Sequence, residues 1–376
     1  MALRSGRGAS ISLEMLDLYA RHGNLDGKEF ADVVARRAAF DSQITEALDE
    51  SLANPSRMHG WRVQALFEAM VIALGTVRLI KQEDVGTYFF DDASGAVKPP
   101  DFRIVTEDGE QLLVEVKGVS PRDQTKSRKL RGRDVEELRR YAEMTGARLV
   151  YAHYWSALNL WTLVSVDNLT LDESNYVLSF EAAMLANEMV AVGDAWIATV
   201  SPLTLTIVGT PGSGNSMTVD GELQQIELQI AEVKIAAADR EVIDPVERRL
   251  AMFFVLYGSW EEELLPVEAE DRTLPQVTFS YTPAVPDGVD AEPPPSIIGQ
   301  LSAMYSQLYN AATLGPDNSV ETLHHDPEPG MLQDLLPPDY WHRVDGALPI
   351  WKLNVSPASS EVDAGGCDSD GAEERG

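Results

Sequence analysis

The sequence predicts an α/β (α+β) fold: a mixed sheet flanked by helices in the first half, then a second, acidic α+β domain. Three observations predict it. Residues 101–117 carry two strand-like runs about an Asp108-Gly109 turn, which reads as a β-hairpin. Helical segments lie on both sides of that hairpin, at 58–75 and at 134–144. Charge is divided unevenly. Of the 376 residues, 1–150 hold 22 basic and 24 acidic side chains and 151–376 hold 8 and 36, so almost all of the net −30 belongs to the second part.

Residues 1–56 form an N-terminal helical region, with Phe30, Val33, Val34, Arg37, Phe40, Ile44 and Leu48 at helical spacing as a packing cap. Residues 57–170 make the core domain. Met58 to Gly75 is an amphipathic helix whose stripe is Val63, Leu66, Phe67, Met70, Val71 and Leu74, and Gly75 stops it. Glu68 projects from the edge of that stripe, either as a solvated flank residue or as an addition to a carboxylate cluster. Short strands are expected over Val77–Glu83 and Thr87–Asp91. After the hairpin, Ser120 to Arg133 reads as a basic loop in which Arg122, Lys126, Arg128, Lys129, Arg131 and Arg133 face one acid, Asp123. A helix from Asp134 to Met144 and strands over Ala147–Trp155 and Leu158–Val166 complete the core.

Two loop lengths give the hairpin two registers. A two-residue loop at Asp108-Gly109 sets Phe102 against Glu115 and mixes charge with apolar residues on each face. A three-residue loop, Glu107-Asp108-Gly109 with Gly109 left-handed, sets Phe102 against Val114, Ile104 against Leu112 and Asp101 against Glu115. Only this register collects Phe102, Ile104, Leu112, Val114 and Val116 on one side, so it is the one expected where a face is buried. Asp101 and Glu115 then become cross-strand neighbours about 5 Å apart, and Lys117 follows two residues on, on the same face.

Two carboxylates and a lysine are the residue types of metal-dependent phosphodiester cleavage. The carboxylates hold a hard cation through oxygen and the lysine sets positive charge near the phosphate. A Glu-x-Lys triplet alone is common on solvated strands; a second one, Glu232 to Lys234, has no Pro-Asp strand before it. The combination Pro100-Asp101 with Glu115-Val116-Lys117 resembles the PD-(D/E)xK nuclease superfamily, the restriction-endonuclease-like fold, over about residues 58–166. That resemblance implies Mg2+, with Mn2+ able to substitute, on Asp101 and Glu115. It also implies Lys117 positioning or activating water, Glu68 supporting the metal shell, and DNA as substrate. Glu137 and Tyr141 match the spacing of a supporting Gln-x-x-x-Tyr pair in some exonuclease-like branches, with Glu in place of Gln. The hairpin is also similar to those of Holliday-junction resolvases and of endonuclease subunits of some transposition systems. The implied activity is an endonuclease in antiviral defence, repair or mobile-element processing, as a homodimer where both strands are cut. The alternative is a nuclease fold without turnover that binds nucleic acid or a protein partner.

Residues 180–355 read as the acidic α+β accessory domain. Helices are expected over Phe180–Val192, from an Asp244-Pro245 start to Tyr257, and over Gln300–Ala312. Strands are expected over Trp196–Val208 and Gln225–Ile235, and a Pro-rich linker over 283–295. Its acidity either docks a basic protein partner, shields the basic loop, or reflects a proteome-wide acidic bias. Gly209 to Ser216 nearly matches a phosphate-binding loop but has Asn215 where the lysine is required, so it reads as a hairpin connection. His324-His325 lacks metal spacing. Residues 356–376 read as a disordered acidic tail. The one cysteine, Cys367, leaves no disulfide framework, no signal peptide is visible, and no segment is long and apolar enough for a membrane, so a cytoplasmic protein is expected.

Overall fold

Helix α3 (Pro55–Leu74) sets the frame of the first half, and its ends are written in sequence. The side chain of Asn54 accepts from the N–H of Arg57 at 3.1 Å and Pro55 fills a first-turn position that needs no donor. The helix stops at Gly75 in a left-handed cap. Before it come α1 (Ile11–His22) and α2 (Val33–Leu52), where Tyr19 meets Phe40 edge-on at 5.2 Å. The computed structural model describes residues 11–22, 33–91, 95–120, 126–211, 215–219, 222–267, 276–283, 295–337, 340 and 345–358. Phe30, Arg122, Asp123, Cys367, most of the Pro-rich stretch and the tail beyond 358 lie outside them.

The first sheet is built from β1 (Leu79–Gln82), β2 (Phe102–Val105) and β3 (Gln111–Val119). After β4 (Arg128–Arg131) and α4 (Gly132–Thr145) it is completed by β5 (Arg148–Trp155) and β6 (Leu160–Ser165). Its order is β1-β2-β3-β5-β6. All neighbours are antiparallel except β3 and β5, which are parallel and joined through α4, as a parallel pair requires a crossover. The hairpin register is Phe102 to Val114 and Ile104 to Leu112. Gly109, at φ +96°, takes the turn position an L side chain rarely adopts.

Both faces of this sheet are covered. Phe102, Ile104, Leu112, Val114 and Val116 pack with the α3 stripe in one apolar cluster; Leu113, Leu149, Tyr151 and Val164 pack with Val135, Leu138 and Ala142 of α4 in another. The α3 cluster also takes in Phe254, Tyr305 and Tyr309 from the second half of the chain, so α3 is buried from two sides.

Three expectations ahead of residue 196 are corrected. Thr87–Asp91 forms no strand: the chain leaves the sheet after Gln82, Glu83 N–H bonds to the Asp101 carbonyl at 2.9 Å, and Phe89 stands 95% exposed. The expected basic loop is in part strand β4. It pairs with β8 (Asn175–Leu178), which pairs in turn with β7 (Thr170–Asp172), a partner too distant in sequence to be read locally. The helix expected over 180–192 breaks into α5 (Phe180–Leu185) and a short turn at Met189–Val192. At the break, buried Asn187 accepts from the N–H groups of Leu163 and Met189.

The second half comprises β9 (Trp196–Thr199), β10 (Leu203–Gly209), β11 (Asn215–Val219), β12 (Glu222–Glu227), β13 (Ile230–Ala237), β14 (Arg240–Glu241) and α6 (Pro245–Tyr257). Then follow β15 (Trp260–Val267), β16 (Gln276–Pro283), β17 (Ser296–Gln300), α7 (Leu301–Thr313), α8 (Met331–Leu335) and β18 (Ile350–Leu353). Its main sheet has the order β14-β13-β10-β16-β15, and β17-β9-β18 forms a smaller one. The expected strand over 196–208 is split at Pro202, which has no N–H for a ladder. Helix α7 lies on α3 and β6: buried Arg62 donates to Thr313 Oγ1 and Asn310 Oδ1, each at 2.6 Å, and Trp161 Nε1 donates to Ser306 Oγ at 2.9 Å.

Candidate active site

The hairpin brings Asp101, Glu115 and Lys117 together where β2 and β3 leave the turn behind. The ladder ends at Phe102–Val114, one pair before Asp101 would meet Glu115. Instead of a strand carbonyl, the Asp101 carboxylate takes the next β3 donor: Val116 N–H bonds to its Oδ2 at 2.6 Å. Its Oδ1 accepts from Gln64 Nε2 of α3 at 2.7 Å. Glu115 is 1% exposed. Its Oε1 accepts from Lys117 Nζ at 2.6 Å and from Lys98 Nζ at 3.0 Å, whereas its Oε2 is buried with no hydrogen-bond partner among the described residues. On β5, Tyr151 stands beside Glu115 and His153 beside Lys117 in the ladder.

The electrostatics follow from that crowding. Burial first and then Glu115 push the Asp101 carboxyl up, to about 7 with Lys117 opposing the rise. Asp84, just past β1, is also raised, by burial first and by Glu115 as well, so a third carboxylate enters the same field. Burial likewise raises the Tyr151 hydroxyl, and burial with nearby Arg128 and Lys117 lowers His153 to about 3, keeping its imidazole neutral.

Of the two readings left open for Glu68, its contacts match the flank residue and not the metal-shell role that the resemblance implies. One turn before it, Gln64 makes the contact from α3 to Asp101; Glu68 accepts a long bond from Gln82 at 3.5 Å, and its further electrostatic neighbours are His324 and Tyr309. Among the described residues no group of three His, Cys, Asp or Glu side chains stands at metal-holding distance. Tyr141 reaches the site indirectly. Its hydroxyl and Arg103 both donate to Glu83, at 2.7 Å each, fixing the residue next to Asp84. The Glu137 side chain pairs with Arg133 at 2.7 Å, and its carbonyl accepts the N–H of Lys98 at 3.2 Å.

The basic run borders the site through Arg128, which faces His153. Lys129 pairs with Asp172 at 3.6 Å; Lys126, Arg131 and Arg133 are exposed. Gly132 opens α4 against the Ser174 carbonyl, which a Cβ there would overlap.

The donor set suits a hard cation: anionic oxygen only, with one Glu115 oxygen buried and free of hydrogen bonds. Mg2+ is held by one or two carboxylates, with water or substrate oxygens completing its shell. Sequence spacing missed Gln64, Asp84 and Lys98; the Lys98-Pro99-Pro100-Asp101 run was the available signal, since two prolines hold the lysine at a set distance from Asp101.

The other motifs fall away. A strand, not a helix, follows the Gly209 loop, so it lacks the helix N-terminus of a phosphate site. Glu232 and Lys234 form a partly exposed ion pair on β13 at 3.5 Å. His324 pairs with Asp326 at 3.3 Å and His325 lies edge-on to Tyr309. A cavity of about 490 Å³ opens near the hairpin turn by Thr106, Gly193 and Lys352, and shares no residue with the Asp101 group. No described helix is long and apolar enough to cross a membrane.

No family model matches the chain, and no curated protein matches it. Among solved structures, the Holliday junction resolvase Hjc of Archaeoglobus fulgidus is similar over 30% of this chain and 86% of its own, at 20% identity and a TM-score of 0.24. A likeness of that size assigns neither a family nor an activity.

Proposed function

We propose that the chain is a Mg2+-dependent nuclease hydrolysing DNA phosphodiester bonds, with Asp101 and Glu115 as cation ligands and Lys117 as the group facing the attacked phosphate. One observation carries this reading: two buried carboxylates and a lysine from adjacent strands converge, and one carboxylate oxygen has no partner among the described residues. A bound divalent cation would supply charge stabilisation at the phosphate and a more acidic water. The chain supplies the rest. Gln64 and the Val116 N–H fix both oxygens of Asp101, so the carboxylate meets a ligand without reorganising. Glu115 holds the Lys117 ammonium where it can orient water and offset charge growing on the phosphate. Water oxygen bonds to phosphorus and gives up one proton to solvent as a phosphoester P–O bond breaks, and the departing oxygen takes up one proton from solvent. The neighbouring basic residues Arg128, Arg131 and Arg133 track the backbone.

The test uses purified protein with supercoiled, linear and single-stranded DNA, in Mg2+, in EDTA, and as Lys117→Ala. Cleavage in Mg2+ alone, reduced on the order of a hundredfold or more in Lys117→Ala, is expected; cleavage that survives the substitution removes the assignment of Lys117. A second reading, a nuclease fold that binds nucleic acid or a protein without cutting, is favoured by the missing third metal-holding side chain among the described residues. DNA binding without cleavage on every form would select it.

A further inference from the structure

Glu115 has two lysines on one oxygen, and the two are not equivalent. Lys117 projects from the middle of the sheet. Lys98 comes from outside it, with its side chain 44% exposed, and Asp101 and Asp134 add to the negative field at its ammonium. The backbone around Lys98 is pinned: its N–H bonds to the Glu137 carbonyl at 3.2 Å, the Val97 carbonyl accepts from Tyr88 at 3.1 Å, the Ala96 carbonyl accepts from Arg140 at 2.7 Å, and two prolines follow.

We propose that Lys98 is a built-in counter-ion of the carboxylate pair, and that a divalent cation and the Lys98 ammonium exclude one another there, so that metal loading releases Lys98. This rests on the metal reading above. Its reason is charge: a cation held by Asp101 and Glu115 would repel the Lys98 ammonium, which bonds to one oxygen of the same Glu115 carboxylate at 3.0 Å. Lys98 is the group able to leave. Only its side chain has to move, and Glu115 Oε1 keeps its bond from Lys117, so departure creates no buried unpaired oxygen. The freed ammonium then lies at the mouth of the site, where a phosphate would come.

The experiment measures Mn2+ binding by electron paramagnetic resonance in wild type and Lys98→Gln, and the labelling rate of Lys98 by an amine-reactive reagent, with and without Mn2+, by peptide mass spectrometry on wild type. Binding tighter by about threefold to tenfold in Lys98→Gln, with Lys98 labelled severalfold faster in Mn2+, is the expected result. Equal or weaker binding in Lys98→Gln overturns the competition, and unchanged labelling overturns the release. If neither protein binds Mn2+, the metal reading itself falls, which is a different outcome from equal binding by both.

Discussion

The N–H of Val116 donates to Oδ2 of Asp101 at 2.6 Å, across the gap between β2 and β3 where the ladder has just ended. A carboxylate thus stands where a strand would have offered a carbonyl, and this keeps Asp101 beside Glu115 despite their mutual repulsion. The arrangement costs stability. Two carboxylates share a buried space whose nearest cations are lysines, and a folded protein keeps such a cluster where function needs it.

That cost has a pH signature. The Asp101 carboxyl is pushed up to about 7 by burial, then by Glu115, against an ordinary value of 3.8. A raised acid contributes stability that is complete below its unfolded value and is lost as pH rises through its folded value. Asp101→Asn cannot ionise, so without divalent cation it should gain on wild type as pH rises from 5 to 8. The gain is a few kcal/mol at most, since each pH unit separating the folded from the unfolded value is worth about 1.4 kcal/mol. Urea midpoints at the two pH values check this; a difference that does not change with pH contradicts it.

Gln64 acts through Asp101. Gln64→Ala should lower kcat about tenfold with little change in KM, the size of one lost hydrogen bond to a charged group. Gln64→Glu should lose more, since it sets a third carboxylate against Asp101. Steady-state kinetics on one oligonucleotide substrate, with circular dichroism melts to confirm folding, separate the two variants.

Gly132 is the packing point of α4 against the β7–β8 turn. A Cβ there would overlap the Ser174 carbonyl, so Gly132→Ala should destabilise by about 1–3 kcal/mol. It should also lower activity, because the first turn of α4 carries Asp134, which faces Lys98. A melting temperature equal to wild type would show that the helix start gives way freely.

The hairpin was legible because two demands agreed: a left-handed residue at Gly109 and an unbroken apolar face from Phe102 to Val116 permit only one register. The α3 stripe and its ends were legible for similar local reasons. The site's remaining members were not. Gln64 and Glu68 lie one turn apart on the same side of α3, and which of them reaches Asp101 depends on how the helix lies over β2, which periodicity does not encode. Lys98 and Asp84 sit in stretches without a period, placed by bonds to Glu137, Arg140 and Asp101 that span the fold. Strand β4 needed a partner more than forty residues away.

The most direct measurement is an anomalous difference map from crystals grown with Mn2+. The expected result is a peak beside the carboxylates of Asp101 and Glu115, with the Lys98 ammonium withdrawn from Glu115 Oε1. No peak at that position under saturating Mn2+, or a peak on other residues with Lys98 still bonded to Glu115, would contradict it.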